Sequence, residues 1–131
     1  QKTLAELFAC ITRAKELGLI TIVCADSTTE SKAVAELGAD VILAEPTALI
    51  GTGTTADASY TVECCKEIKK VNPDTKVMIA SGITTGEDVY KVVYYGADGS
   101  GSTSGIVNAT SRAGRVNEMV VALLKAMEDR K

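Results

Sequence analysis

The chain has 131 residues, 46% of them hydrophobic and 24% charged, with a mean hydropathy of +0.14, which describes one globular domain with a buried core and excludes a disordered segment. A net charge of −3 without a basic cluster excludes a nucleic-acid surface, and no apolar run is long enough to cross a membrane, so the expected partner is a small molecule or another protein. Histidine is absent, so any proton chemistry must rest on carboxylates, and neither a metal nor a cofactor is expected.

In chain order, Leu4, Leu7, Phe8, Ile11 and Ala14 recur at helical spacing and predict a first helix, which Gly18 stops. The apolar run "LITIVCA" from Leu19 predicts a strand, and "STTE" at Ser27 to Glu30 is a capping box opening a helix over 30–37 that ends at Gly38. A second strand, "VILAE" from Val41, is followed by a loop and a helix over 57–71. A third, "KVMIASG" from Lys76, leads through the capping box "TTGE" at Thr84 to Glu87 into a helix over 86–95, stopped by Gly96. The last unit is a weaker strand, "GSGSTSG" from Gly99, with a helix over 114–129. The first three strands, continuous and bounded by turn residues, read as buried on both faces.

"LGAD" before the second strand and "YGAD" before the fourth repeat one helix stop and strand entry, so the βα unit is internally repeated without a linker. One helix followed by four βα units spans residues 1–131 as a single domain of the α/β class with a parallel sheet. Two architectures fit: an open doubly wound sheet, or half of an eight-stranded barrel. An open sheet would bind ligand at a glycine-rich first turn, but that turn is "ADSTTE". A barrel places functional residues after several strands.

Those strand ends hold Asp26, Glu45, Ser81 with Gly82, and Ser104 with Gly105. Glu45 follows Val41, Ile42, Leu43 and Ala44 directly, and a carboxylate partly shielded there suits a general base; a strand-end glutamate paired with a neighbouring Lys or Arg fits the position equally. The loop "ALIGTG" after it, with Gly51 and Gly53, can close over a ligand and offer amides to an anion, or be an ordinary glycine loop. "ASGITTGE" and "STSGI" put amides and hydroxyls on the same rim, as phosphate turns do and as simple capped turns also do. Asp26, Glu87 and Asp88 read as caps, and Arg112 and Arg115 as surface charges of the last helix. Cys10, Cys24, Cys64 and Cys65 lack zinc spacing and read as reduced core residues of a cytoplasmic protein. The first residue is Gln1 and not Met, as expected for a piece of something longer.

With these motifs in order, "ELGLITIVCADS", "ILAEPTALIGTG", "KKVNPDTKVMIASGITTGEDV" and "STSGIV", the sequence resembles the triosephosphate isomerase family, in the compact form typical of archaea. The resemblance implies the parallel (βα)4 half of a TIM (β/α)8 barrel, strands five to eight, preceded by one helix. It also implies that Glu45 is the base moving a proton between adjacent carbons of a triose phosphate. Residues 46–54, with Pro46, Gly51 and Gly53, would form the closing lid, and Ile50, Gly82, Thr103 and Ser104 would hold the substrate phosphate. The family's lysine, after the first barrel strand, and its histidine, after the fourth, belong to sequence this chain does not contain, so the implied partner is the N-terminal half of the barrel, and a homo-oligomer is expected. The competing expectation is a non-catalytic phosphate-binding half-barrel module. Thr47 and Ala48 depart from the Pro and Glu common in the lid, Ser81 replaces a small apolar residue, and Ser100, Gly101 and Ser102 stand where the family carries bulky aliphatics.

Overall fold

The computed structural model describes residues 2–49 and 57–130. Helix α1 (Leu4–Glu16) precedes four strands, β1 (Ile22–Ala25), β2 (Val41–Ala44), β3 (Lys76–Ile79) and β4 (Gly99–Ser100), which pair in parallel in the order of the chain. Between and after them run α2 (Thr28–Glu36), α3 (Ala58–Val71), α4 (Gly86–Tyr94), the short α5 (Ser104–Val107) and α6 (Arg112–Asp129). This is the (βα)4 arc expected of a half barrel.

The pairing register aligns Ile22 with Val41, Val41 with Lys76, and Met78 with Gly99. Because side chains alternate across a strand, this register sends Ala25, Ile42, Ala44, Val77 and Ile79 to one face, where they are buried with Val34, Cys64, Ile68, Val89, Val92 and Val93 beneath the helices. Ile42 and Ile79 are fully buried, and each such side chain contributes about 1.5–3 kcal/mol relative to exposure.

The opposite face is bare. Ile22 is 62% exposed, Cys24 is exposed, and Leu43 and Met78 are half-buried, so strands expected to be covered on both sides are covered on one. A half barrel has no second layer on its inner face. The same incompleteness shows at both lateral helices, where Leu4 and Phe8 of α1 and Val116, Val120 and Leu124 of α6 are exposed. β1 also starts later than the apolar run, and Ile20, 79% exposed, lies outside the ladder.

Each of the two "GAD" repeats sews a strand to its neighbour. Gly38 (φ +83°) and Gly96 (φ +123°) turn the chain in the left-handed region after α2 and α4. Asp40 then accepts from the Thr21 amide (2.8 Å) and hydroxyl (2.7 Å), and Asp98 accepts from the Val77 amide (2.8 Å) while pairing with Lys69 (3.1 Å). At the same end of the arc Arg130 donates to the carbonyls of Val93 (2.8 Å) and Ala97 (2.9 Å), satisfying carbonyls at and just beyond the C-terminal end of α4.

Local chemistry moves several boundaries. α2 starts at Thr28 because Ser27 caps the Glu30 amide (3.2 Å), but the Glu30 carboxylate reaches past the cap to the Asp26 amide (2.8 Å). The second capping box is Thr85 with Asp88, one residue beyond the "TTGE" frame, and an unexpected third, Thr3 with Glu6, opens α1. The fourth strand shrinks to two residues, since Gly and Ser offer no branched side chains for cross-strand packing, and α5 takes up the rest of its motif. Cys64 and Cys65 are buried, and burial pushes the Cys65 thiol up to about 12; Cys10 and Cys24 are exposed, so they are not core residues. Cys24 lies on the bare face.

The Thr21 hydroxyl and then its amide hold the Asp40 carboxyl below its ordinary value of 3.8. A lowered folded value means that this contribution to stability is complete above the ordinary value and is lost as pH falls through the lowered one. Asp40→Asn should therefore flatten the acid limb of the Tm profile below about pH 4, measured by circular dichroism, while lowering Tm at neutral pH. An unchanged acid limb would show that the Asp40 bonds contribute nothing.

Candidate active site

Beyond the ladder the strands keep their pairing for one more step: the Glu45 amide donates to Ala25 (2.9 Å) and the Ala80 amide to Ala44 (3.1 Å). Glu45 thus continues the alternation of Val41 and Leu43 onto the bare face, at its rim. It is partly buried, and no salt bridge among the described residues includes it, so the paired-glutamate reading of this position finds no Lys or Arg partner there.

Glu45 lines an open groove of about 520 Å³ together with Leu43 and Gly101 on the floor and Ser81, Gly82, Thr103 and Ser104 along the far wall. The wall is two turns locked together. The Ser102 hydroxyl donates to the Ile83 carbonyl (2.6 Å), and Gly105 approaches so closely that a Cβ there would meet the Thr84 Cα at 2.6 Å and the Ile83 carbonyl oxygen at 2.8 Å. Only glycine permits that approach. Ser81 and Gly82, at φ +74° and +70°, turn the chain sharply off β3 toward this contact.

Of the residues singled out in the sequence, the structure brings Glu45, Gly82, Thr103 and Ser104 to one groove. Pro46 lies on the same rim, its carbonyl accepting from the Ser81 hydroxyl (3.2 Å), and the segment continues as a 3-10 turn over Thr47–Leu49. Ile50, Gly51 and Gly53 lie outside the described residues. Asp26 is not a helix cap, since Ser27 fills that role; its carboxylate accepts instead from the Thr47 amide, and the Thr47 side chain and then that amide hold its carboxyl below the ordinary value. Glu87 is an exposed partner of Lys91 (2.7 Å), Asp88 is the cap expected of it, and Arg115 pairs with Glu118 (3.2 Å) on the surface. Arg112 donates to the Val107 carbonyl (3.2 Å). Ser102, the first residue of the "STSGI" turn, also lines the groove, and so does Asn108, which sequence reasoning overlooked. Among the described residues no cluster of His, Cys, Asp or Glu could hold a metal ion, and no helix is long and apolar enough to cross a membrane.

Gly105→Ala should cost about 1–3 kcal/mol in urea denaturation, since two of the three atoms its Cβ would meet, the Thr84 Cα and the Ile83 carbonyl oxygen, are backbone and the third is the Ser102 Oγ bonded to Ile83, and it should move the amide resonances of residues 83–84 and 102–105 while leaving those of α1 in place. A wild-type stability would mean that the two turns are not in the contact described.

The arc matches solved structures at low sequence identity: the Amycolatopsis orientalis BexX/CysO complex (TM-score 0.72, 16% identity, 99% of this chain and 52% of that one) and 3-hexulose-6-phosphate synthase from Salmonella typhimurium (TM-score 0.70, 22% identity, 95% and 59%). At such identities the likeness concerns the fold. Sequence relatives are more specific. The triosephosphate isomerase of Methanocaldococcus jannaschii is 39% identical over 120 residues (89% of this chain, 55% of the relative), and that of Sulfurisphaera tokodaii 37% identical over 131 residues (98% and 57%). The chain thus spans about half the length of the curated relatives it matches. The family model for triosephosphate isomerase covers residues 1–123, from α1 through the groove and into α6, and with the archaeal relatives it shows that the chain belongs to the triosephosphate isomerase family.

Proposed function

We propose that the chain supplies the base, lid and phosphate wall of a triosephosphate isomerase, interconverting dihydroxyacetone phosphate and glyceraldehyde 3-phosphate through an enediol(ate). The observation that carries this reading is the groove in which Glu45 shares one rim with the locked turns of Gly82, Thr103 and Ser104. In it Glu45 removes the proton from one carbon and returns it to the next. The phosphate sits against Gly82, Thr103 and Ser104, with Ile50 from the lid, chiefly on backbone amides. Pro46, Gly51 and Gly53 belong to the loop that closes over it.

One carboxylate moves the proton but does not polarise the carbonyl, so the chemistry needs an electrophile from elsewhere. The family's lysine and histidine, on the N-terminal half of the barrel, supply it. That half also covers the bare sheet face and the exposed sides of α1 and α6, surfaces that support a partner requirement. The isolated chain is accordingly inactive, and it self-associates: sedimentation of the 131-residue chain should show oligomers, and a clean monomer would count against an uncovered half barrel.

Reconstitution tests the function. Mixing the chain with the N-terminal half of the Methanocaldococcus jannaschii relative should produce isomerase activity, and Glu45→Gln should lower kcat by about 10²–10⁴-fold while leaving phosphate affinity nearly intact. Retained activity in Glu45→Gln would show the base to be another group. A folded but inactive complex of the two halves would favour a non-catalytic phosphate-binding module.

A further inference from the structure

One peptide unit at the rim is held at both ends. The Pro46 carbonyl accepts from the Ser81 hydroxyl (3.2 Å), and the amide of the next residue, Thr47, donates to the Asp26 carboxylate. These are the oxygen and the nitrogen of the same Pro46–Thr47 bond. The two holders come from opposite sides, Asp26 from the end of β1 and Ser81 from beyond β3, while the peptide they hold follows β2 directly after Glu45.

The holders are themselves fixed. The Asp26 amide donates to Glu30 (2.8 Å) at the start of α2, so its carboxylate is not on a free end. Ser81 is 5% exposed and is the one described non-glycine residue at positive φ, +74°, where glycine would sit more easily. A side chain kept in a disfavoured backbone conformation, buried, with its hydroxyl on a neighbouring strand's carbonyl, is a feature that folding alone does not require. Helix capping does not need Asp26 either, since Ser27 caps α2.

We propose that Asp26 and Ser81 are positioning residues that clamp the Pro46–Thr47 peptide and thereby set the direction in which Glu45 leaves β2 and the angle at which the lid begins. Ser81 belongs to the groove wall but gives its hydroxyl to the Pro46 carbonyl, and Asp26 is not among the groove's lining, so the clamp acts on the rate of proton transfer and not on substrate affinity. It rests on the reading of Glu45 as the base. The clamp itself is a property of the described chain.

Two measurements test it. In the 131-residue chain, the Thr47 amide proton should follow an acid titration in NMR spectra, and Asp26→Asn should abolish that dependence; a Thr47 resonance indifferent to Asp26 overturns the clamp whether or not any isomerase activity exists. In the reconstituted barrel, Asp26→Ala and Ser81→Gly should each lower kcat by about 10–100-fold with KM within about twofold, and the double variant should be no worse than the worse single one, because both hold the same peptide. Asp26→Asn, which keeps an acceptor oxygen, should recover part of the loss. Ser81→Gly suits the positive φ, so its Tm should not fall as its kcat does, a split that a merely structural serine would not give. Losses that multiply in the double variant, or that appear in KM, overturn the proposal. Failure of wild-type halves to show activity would refute the isomerase reading and leave the amide titration to decide the clamp.

Discussion

The register between the parallel strands is the constraint from which the rest of the molecule follows. Aligning Ile22, Val41 and Lys76 in one row puts Ile42 and Val77 in the next, under the helices, and by the same alternation carries Leu43, Met78 and finally Glu45 to the other face. A slip of one residue would turn Ile42, Ala44, Val77 and Ile79 outward and bury the glutamate among the helices. Burial of the helix-facing row therefore decides where the carboxylate stands. The Asp40 and Asp98 carboxylates, each bonded to the amide of an adjoining strand or its entry, hold the row at its lower edge.

At the upper edge the chain is less regular, and hydrogen bonds replace the ladder. Ser102 on Ile83, Ser81 on Pro46 and Asp26 on Thr47 each tie the end of one strand to the turn of another. Gly105 lets α5 approach the backbone of residues 83–84 without a side chain of its own, beside the Ser102 hydroxyl. These ties are made by small polar groups because a bulky residue would fill the groove they border. The positive φ at Ser81, a conformation costing on the order of 1–2 kcal/mol for a non-glycine residue, sits at this edge and not in the covered core.

The bare sheet face and the apolar stripes of α1 and α6 are all exposed, as a (βα)4 arc without the other half of a barrel would leave them. Closure removes sheet edges and fills the interior with side chains from all strands, so a four-stranded arc satisfies its helix-facing layer and leaves its inner layer without contacts. Gly99 and Gly101 make that inner layer hollow on the β4 side, with the Met78 methyl 3.9 Å from where a Cβ of Gly101 would lie.

How much was legible in the sequence differs by element. The βα order, the glycine stops at positions 18, 38 and 96, and the three apolar strands follow from local periodicity and turn chemistry, and they reappear in the structure with shifts of a few residues. The family was legible from motifs in order, because each carries its own local backbone signature. Residues 50–56, and with them part of the expected lid, lie outside the described structure. What local pattern could not convey is anything made across strands. Asp26 reads as a cap in sequence, but its partner is 21 residues away; Ser81 bonds a carbonyl 35 residues away; Cys24 has the apolar neighbours of a core residue and lies on the uncovered face. The sequence by itself determined which segments become strands and, to within two residues, where the first three end, since those depend on neighbours a few positions off. Only the tertiary structure decided which strand ends share a groove, which peptide is gripped, and which apolar face stays open, because register and closure are set by contacts between residues far apart in the chain.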